Sequence, residues 1–230
     1  MDRADKLATP SEFGGNKVSL DDIERLSPME IERRSFAIIS REAGDRIPDD
    51  NRAMIIKRVI HTSADFDYLD TLCFSDGAVE AALEALRGGA WIITDTNMAL
   101  SGINKPSLKK AGCEAHCFMA DEDVAREAKA RGVTRASVCV EKAAALTHPL
   151  IYAVGNAPTA LIRLYELIRD GRIHPKLVIG VPVGFVNVVQ SKELIMQTDV
   201  PYIVARGRKG GSNVAACICN ALLYELDGSR

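Results

Sequence analysis

The residues best suited to chemistry in this sequence include a cationic segment that is rich in glycine. The segment RGRKGGS (206–212) holds Arg206, Arg208 and Lys209. Glycine lets the backbone come close to a ligand, and arginine binds carboxylates or phosphates through paired hydrogen bonds. The segment therefore predicts an anion-binding turn, with an ordinary solvent-exposed basic turn as the alternative.

His61 is the histidine whose surroundings favour acid–base chemistry. It falls in the last turn of a predicted helix, where the negative end of the helix dipole favours the imidazolium form. Asp65 and Asp67 follow closely in the chain, and we expect them to favour the same charged form. A histidine in this setting is suited to donating a proton near neutral pH. The alternative is a histidine that only caps the last carbonyls of its helix.

Composition and charge argue against several classes of protein. The 230 residues carry a formal net charge of −2, whereas a nucleic-acid surface needs a broad basic footprint. The stretch MDRADKLATP lacks the apolar region of a signal peptide, and the longest nearly apolar run, 177–189, is too short to span a bilayer. We therefore expect a cytoplasmic protein that binds neither nucleic acid nor membrane.

Signatures of metal and nucleotide binding are weak in this chain. Cys113, His116 and Cys117 lie close together, but they lack a second ligand pair at the spacing of a zinc finger. Neither a Walker A loop nor the dinucleotide glycine fingerprint is present. We expect no metal and no cofactor.

Strands and helices alternate in the part of the chain that must position the cationic segment. Apolar strands are predicted at 151–154, 177–179 and 202–205, and each precedes a glycine-bearing loop and a helix-compatible segment. Such loops meet at the carboxyl edge of a parallel sheet, where ligands bind. The pattern predicts an α/β fold, a three-layer α/β/α domain with a mostly parallel central sheet and extra N-terminal helices.

Capping signals and apolar periodicity define the other elements. Ser27 and Glu30 are spaced as a capping box that begins a helix. We expect residues 1–25 to form a mobile extension and residues 26–230 a single domain. In chain order, the other predicted elements are a helix at 28–42, a helix that begins at 51 and ends near 61–64, a helix at 78–87, strands at 91–95 and 113–119, and helices at 122–131, 134–146, 160–170, 191–197 and 214–223.

Six segments together resemble the precorrin-8X methylmutase family of cobalamin biosynthesis. They are RRSFAIIS (33–40), RVIHTSADFDYL (58–69), ITDTNMALSGI (93–103), VGNAPTAL (154–161), GVPVGFVNVVQSKE (180–193) and PYIVARGRKGGSNVAA (201–216). The resemblance runs in family order from about residue 30 to 224. It implies an isomerase that moves a methyl group from ring carbon 11 to ring carbon 12 of a corrinoid, on a three-layer α/β/α fold that forms a homodimer.

The same resemblance implies roles for particular residues. His61 matches the histidine that the family uses to protonate the macrocycle, and the reaction needs no cofactor. The substrate is a polycarboxylate around a large apolar ring, so its binding site needs dispersed carboxylate partners. The implied binding residues are Arg206, Arg208 and Lys209 for charge, Ser35, Thr94, Asn156, Thr159 and Ser212 for hydrogen bonds, and Arg135 as a further ligand contact. Enzymes of adjacent steps are expected to receive the product.

Two other functions fit the same fold. A dinucleotide-dependent oxidoreductase predicts a glycine fingerprint followed by an acidic residue about 20 positions later, and the sequence has neither. A non-catalytic corrinoid carrier predicts binding without turnover, and His61→Ala should leave such a carrier unimpaired.

Overall fold

The computed structural model describes residues 19–228 of the chain. The described residues divide into two compact units, with the boundary between Ser35 and Phe36. In the first unit, Ser19 caps the short 3-10 helix Leu20–Asp22. The predicted mobility of residues 1–25 falls largely on residues outside the described part, and the single domain over residues 26–230 stays a prediction.

Helices and strands alternate through most of the described chain. The elements are α1 (Pro28–Ala43), a 3-10 helix (Gly44–Arg46), α2 (Arg52–Ser63), α3 (Tyr68–Thr71), β1 (Leu72–Phe74), α4 (Ala78–Arg87), β2 (Trp91–Thr94), α5 (Asn97–Gly102), α6 (Lys105–Lys110), β3 (Ala115–His116), α7 (Glu122–Arg131), α8 (Arg135–Ala144), β4 (Leu150–Val154), α9 (Pro158–Arg169), β5 (Leu177–Gly180), α10 (Val188–Met196), β6 (Tyr202–Ala205) and α11 (Ser212–Asp227). No helix within residues 19–228 is both long and apolar enough to cross a membrane.

The six strands form one sheet in the order β1-β6-β5-β4-β2-β3. Neighbouring strands are parallel from β6 to β3. The exception is β1, which pairs antiparallel with β6 so that Leu72 lies opposite Ala205. The prediction of an α/β fold with a mostly parallel sheet is confirmed.

Apolar side chains cover both faces of this sheet. Along β4, Ile151 and Ala153 join one core with residues of α2, α4 and α11. Tyr152 and Val154 join a second core with residues of α8 and α9. Successive side chains of a strand point to opposite faces, so a strand covered on both sides is apolar throughout. The three-layer arrangement of helices, sheet and helices is confirmed.

Local capping explains where several helices begin. The N–H of Ser27 donates to Glu30 at 3.0 Å, and the N–H of Glu30 donates to the Ser27 hydroxyl at 3.4 Å, which is the predicted capping box. The hydroxyl of Thr134 accepts from the N–H of Ser137 at the start of α8. The predicted bounds of α4 and α7 agree with the structure.

The predicted strand over 113–119 is wrong in its extent. Only Ala115 and His116 pair with β2. Beyond them the chain makes a turn, in which the N–H of Asp121 donates to the carbonyl of Phe118, and this turn leads directly into α7. The pattern of residues also gave no indication of β1, α3, α5 or α6.

Candidate active site

The edge of the sheet that carries the candidate residues contains a topological switch point. The strands β2 and β4 are neighbours, but the chain continues from β2 to β3 on one side and from β4 to β5 on the other. A crevice opens at such a point, outside the carboxyl ends of the strands. We call the loops at this edge the rim. They comprise residues 95–96, 155–157, 181–187 and 206–211.

A buried carboxylate joins two loops of the rim. Asp95, directly after β2, accepts hydrogen bonds from the backbone N–H groups of Gly155, Asn156 and Ala157 at 2.8, 2.8 and 2.6 Å. Burial raises the pKa of the Asp95 carboxyl, and the three N–H donors oppose this rise because they favour the carboxylate. Asp95 therefore occupies the position before α9 that an external anion would otherwise take.

The loop after β4 also lies directly against the start of α11. A Cβ atom on Gly155 would lie 2.7 Å from Cα of Ser212 and 2.8 Å from the carbonyl oxygen of Gly211. The hydroxyls of Thr96 and Ser212 form a hydrogen bond of 2.8 Å. This bond connects the loop after β2 to the start of α11 as well. Three rim loops are thus held together by close backbone approach and hydrogen bonds.

The three cations of the loop after β6 have different partners. Arg206 forms an ion pair with Glu193, with Nε 2.9 Å from the carboxylate oxygen. The Nζ of Lys209 lies 2.6 Å from carboxylate oxygens of both Asp65 and Asp67. Arg208 is exposed and has no ion pair among the described residues; its guanidinium lies 5.4 Å from the centre of the Phe185 ring. Arg208 is therefore the cation of this loop that is best placed to meet an external carboxylate.

Lys192 supports the same loop from the interior. Its side chain is fully buried, with 0% exposure, and its Nζ donates hydrogen bonds of 2.8 Å to the carbonyls of Gly207 and Lys209. Burial lowers the pKa of Lys192 to about 8, because a low-dielectric environment disfavours the charged ammonium. The backbone on both sides of Arg208 is thus fixed by one buried amine.

Exposed apolar side chains lie in the rim loop that precedes α10. Phe185 is 82% exposed, and Val183 and Val186 are exposed as well. Met98, next to the loop after β2, is also exposed. Large apolar side chains that face solvent together often mark a binding surface. The rim thus combines an apolar surface with a cationic side chain.

His61 lies in the last turn of α2, as predicted, and its side chain is exposed. Its ring lies 5.3 Å from the Phe36 ring, centre to centre. The segment after His61 is tied to the cationic loop, because Asp65 and Asp67 bind Lys209. The Lys209 ammonium also lowers the pKa of Asp65. These two carboxylates were expected to favour the imidazolium of His61, but one of their two charges is compensated by Lys209.

Four of the five predicted hydrogen-bonding residues already have partners inside the protein: Ser35, Thr94, Thr159 and Ser212. Thr94 is 1% exposed, and its hydroxyl donates to the carbonyl of Thr96 at 3.1 Å and to that of His116 at 3.3 Å. Ser35 donates from its hydroxyl to the carbonyl of Ile31, one turn earlier in α1. Contact of Thr94 or Ser35 with a ligand stays a prediction.

The other predicted contacts lie at the starts of helices. Asn156 is exposed in the loop before α9. The hydroxyl of Thr159 lies 2.8 Å from that of Thr134, the N-cap of α8, and Arg135 is the exposed first residue of that helix. The starts of α8 and α9 are thus adjacent, and their predicted roles in ligand binding stay predictions.

Residues 19–228 contain neither a disulfide nor a cluster of metal-ligating side chains. All six cysteines are free thiols. Within residues 19–228 no three side chains of histidine, cysteine, aspartate or glutamate are grouped as a metal site would require.

Sequence reasoning did not identify Asp95 and Lys192 as residues that organise the rim. A signal for Lys192 was present, because it stands four residues after Val188 and three before Ile195, both of which are buried. Residues at this spacing share one face of a helix. A lysine on an apolar helix face indicates a buried amine with polar partners. Asp95 belongs to the polar segment 94–98, whose position directly after a strand predicts that its polar groups face the rim, but the sequence does not indicate that its carboxylate binds the loop after β4.

The fold and the rim define an α/β protein with a ligand crevice at the carboxyl edge of its sheet. Comparison with known families gives a more specific result. The model of the precorrin-8X methylmutase family matches residues 30–225. The chain therefore belongs to the precorrin-8X methylmutase family, and it is an isomerase.

Individual relatives agree with this membership. A cobalt-precorrin-8 methylmutase from Salmonella typhimurium is 48% identical over 205 residues, which cover 86% of this chain and 96% of the relative. A precorrin-8X methylmutase from Pseudomonas aeruginosa is 39% identical over 200 residues, which cover 86% of this chain and 95% of the relative. The crystal structure of precorrin-8X methyl mutase from Thermus thermophilus superimposes with a TM-score of 0.78 at 41% identity, covering 87% of this chain and 99% of that one. The predicted family is confirmed.

Proposed function

We propose that this chain moves a methyl group from ring carbon 11 to ring carbon 12 of a corrinoid intermediate in cobalamin biosynthesis. The observation that carries the proposal is the match of the family model to residues 30–225. In this reaction the bond from the methyl group to carbon 11 breaks and a bond to carbon 12 forms. No atom is gained or lost, so the reaction needs no cosubstrate.

The chemistry of the rim supports a corrinoid substrate. Such a molecule has a large apolar ring that carries acetate and propionate arms. The exposed ring of Phe185 offers an apolar contact surface, and Arg208 beside it offers a guanidinium to a carboxylate arm. Arg206 and Lys209 already have acidic partners, so we assign them a smaller share of the binding energy than Arg208.

We assign the proton transfer to His61. His61 lies in the last turn of α2, and its side chain is accessible to a ligand. The imidazolium donates a proton to the macrocycle, which makes the ring more electron-demanding and promotes migration of the methyl group. The proton returns to His61 after migration, so the enzyme is regenerated. The protein also holds the ring in one orientation and stabilises the charge that develops.

The remaining predicted contacts are part of the same proposal. Asn156, Thr159 and Ser212 lie in or beside the loops that border the switch point. Their polar groups are of the kind that would accept or donate hydrogen bonds to the arms of the substrate. Thr94, Arg135 and Ser35 complete the proposed set.

The oligomeric state, the location and the partners also stay proposals. We propose a homodimer in the cytoplasm that passes its product to the enzyme of an adjacent step. Light scattering of the purified chain measures the mass of the particle, and a monomeric mass at working concentration would overturn the dimer.

The first experiment mixes the purified chain with precorrin-8X and, in a parallel sample, with its cobalt-containing form. The visible spectrum is followed, because the rearranged corrin absorbs differently from the substrate. Conversion of either form supports the proposed reaction and identifies which form is the substrate. Binding without conversion of either form would favour a carrier, and no binding of either form would overturn the proposal.

A further inference from the structure

Lys192 is the only buried lysine within residues 19–228, and the proposed reaction does not use it directly. It lies on α10, the helix that follows the rim loop 181–187 and precedes β6 in the chain. Within the described residues its amine forms no ion pair with a carboxylate and is bonded to backbone carbonyls instead. A buried charge is costly unless it is well paired. A methionine at this position would fill similar space without that cost, so the amine must serve a purpose other than packing.

The hydrogen bonds of Lys192 indicate this purpose. Its two carbonyl partners, Gly207 and Lys209, are the residues on either side of Arg208. Both carbonyls point towards the interior, at 2.8 Å from the amine. The backbone on each side of Arg208 is therefore fastened below the surface.

Two further hydrogen bonds fasten the same loop to the loop after β5. The N–H of Gly184 donates to the carbonyl of Arg208 at 3.2 Å, and the N–H of Gly211 donates to the carbonyl of Val181 at 2.8 Å. A Cβ atom on Gly210 would lie only 2.0 Å from that Val181 carbonyl. The two loops thus form one tightly packed backbone unit, and Lys192 supplies its connection to the interior.

We propose that Lys192 is a positioning residue that acts through Arg208. Its amine fixes the carbonyls of Gly207 and Lys209, and this holds the guanidinium of Arg208 where a carboxylate arm of the substrate can meet it. The inference rests on the proposed function, because it assigns Arg208 to substrate binding. Lys192 itself does not touch the substrate.

The adjacent residue, Glu193, provides a matched control. It is also on α10 and holds Arg206, but through an exposed ion pair rather than through the backbone of the loop. Exposed ion pairs contribute little energy. Glu193→Gln should therefore leave the backbone of the loop 206–211 held as firmly as in the wild type.

The test is a double-mutant cycle on the full chain, with KM and kcat measured for the substrate form that the wild type converts. We expect Lys192→Met and Arg208→Ala each to raise KM about fivefold with a smaller effect on kcat. The double variant should have the KM of Arg208→Ala alone, because Lys192 has nothing left to position. KM effects that multiply in the double variant, or an unchanged KM in Lys192→Met, would overturn the inference.

A second readout does not depend on activity. Hydrogen exchange of the peptide that covers residues 206–211 reports how firmly the loop is held. We expect faster exchange in Lys192→Met than in the wild type and in Glu193→Gln, and equal exchange in all three would overturn the inference. If Lys192→Met fails to fold, Lys192→Gln, which keeps a hydrogen-bond donor, enters the same cycle. If the wild type binds no corrinoid, the proposed function fails, while exchange still tests the hold of Lys192 on the loop.

Discussion

The carboxylate of Asp95 accepts a hydrogen bond of 2.8 Å from the backbone N–H of Gly155, across the switch point of the sheet. The next two N–H groups of that loop donate to the same carboxylate. One buried side chain after β2 thus determines the backbone conformation of the loop after β4. The relationship is structural, and it leaves the substrate to be bound by side chains elsewhere on the rim.

Replacement of Asp95 by asparagine should destabilise the protein by about 3 kcal/mol, because charge-assisted hydrogen bonds are lost in a buried position. The amide nitrogen of asparagine cannot accept hydrogen bonds from N–H groups. Urea unfolding measures the free energy of unfolding of both proteins. Asp199→Asn, at an exposed aspartate, is the matched control and should change stability little. Equal stability of the two variants would show that the Asp95 carboxylate does not hold the loop.

Gly155→Ala tests the close approach between the loop after β4 and α11. The added methyl group would lie within 2.8 Å of Ser212 and Gly211 backbone atoms, so these atoms must shift. We expect a loss of about 2 kcal/mol in the free energy of unfolding. Gly88→Ala is the control, since the nearest atom to its new methyl group would lie at an ordinary 3.4 Å. A Gly155→Ala protein as stable as the control would contradict the tight packing of the rim.

The sequence predicted the elements whose signals are local. The hydroxyl of Thr134 caps α8 by accepting a hydrogen bond from the N–H of Ser137, three residues later. The apolar run at 202–205 is β6. The short strand β1 has only three residues, too few for a period to be visible, and its partner Ala205 lies far along the chain. Such pairing depends on tertiary structure, which local propensity does not encode.

The candidate site was predictable in its residue types and its location, but not in its internal pairing. The sequence indicated that the loop 206–212 is cationic and lies at the carboxyl edge of the sheet. It did not indicate that Lys209 binds Asp65 and Asp67, more than 140 positions away. Nor did it show that Lys192 donates to carbonyls of that loop. These partners meet only when the sheet and α10 have folded.

Arg208→Ala should weaken substrate binding about fivefold at low salt, because an exposed guanidinium contributes modestly to the attraction of a carboxylate. The difference from wild type should shrink as salt concentration rises, since exposed charges are screened. Titration of the visible spectrum at two salt concentrations measures both dissociation constants. Arg87→Ala changes an exposed arginine at the end of α4, before β2, and should have no effect. A loss of affinity independent of salt would contradict an electrostatic role for Arg208.

The buried amine of Lys192 should make stability depend on pH in the alkaline range. Burial lowers its pKa from 10.5 to about 8, so between these values the folded protein has released a proton that the unfolded chain still holds. Stability rises with pH wherever the unfolded state binds more protons. Relative to Lys192→Met, the wild type should therefore gain about 3 kcal/mol in free energy of unfolding from pH 7.5 to pH 10.5.

This comparison cancels the titration of tyrosines and cysteines, which both proteins share. Chemical unfolding at the two pH values supplies the free energies. A constant difference between the two proteins would mean that Lys192 is protonated to the same extent in the folded and unfolded states. A difference that falls as pH rises would mean that its hydrogen bonds to the carbonyls favour the ammonium more strongly than burial disfavours it.

His61→Ala should lower kcat by about a hundredfold to ten-thousandfold, the usual contribution of a general acid, while the pigment still binds. His174→Ala is the control, because His174 is an exposed histidine that precedes β5, at the opposite edge of the sheet from the rim. The assay is the spectral conversion of substrate, with binding measured separately on the same samples. Turnover that survives in His61→Ala would remove His61 from the mechanism.

A His61→Asn variant separates proton donation from hydrogen bonding. Asparagine can donate a hydrogen bond from its side-chain amide, but it cannot transfer a proton at neutral pH. If His61 only positions the ring or stabilises charge through a hydrogen bond, His61→Asn should retain much more activity than His61→Ala. We expect the two variants to be equally impaired, because the proposed step moves a proton onto the macrocycle.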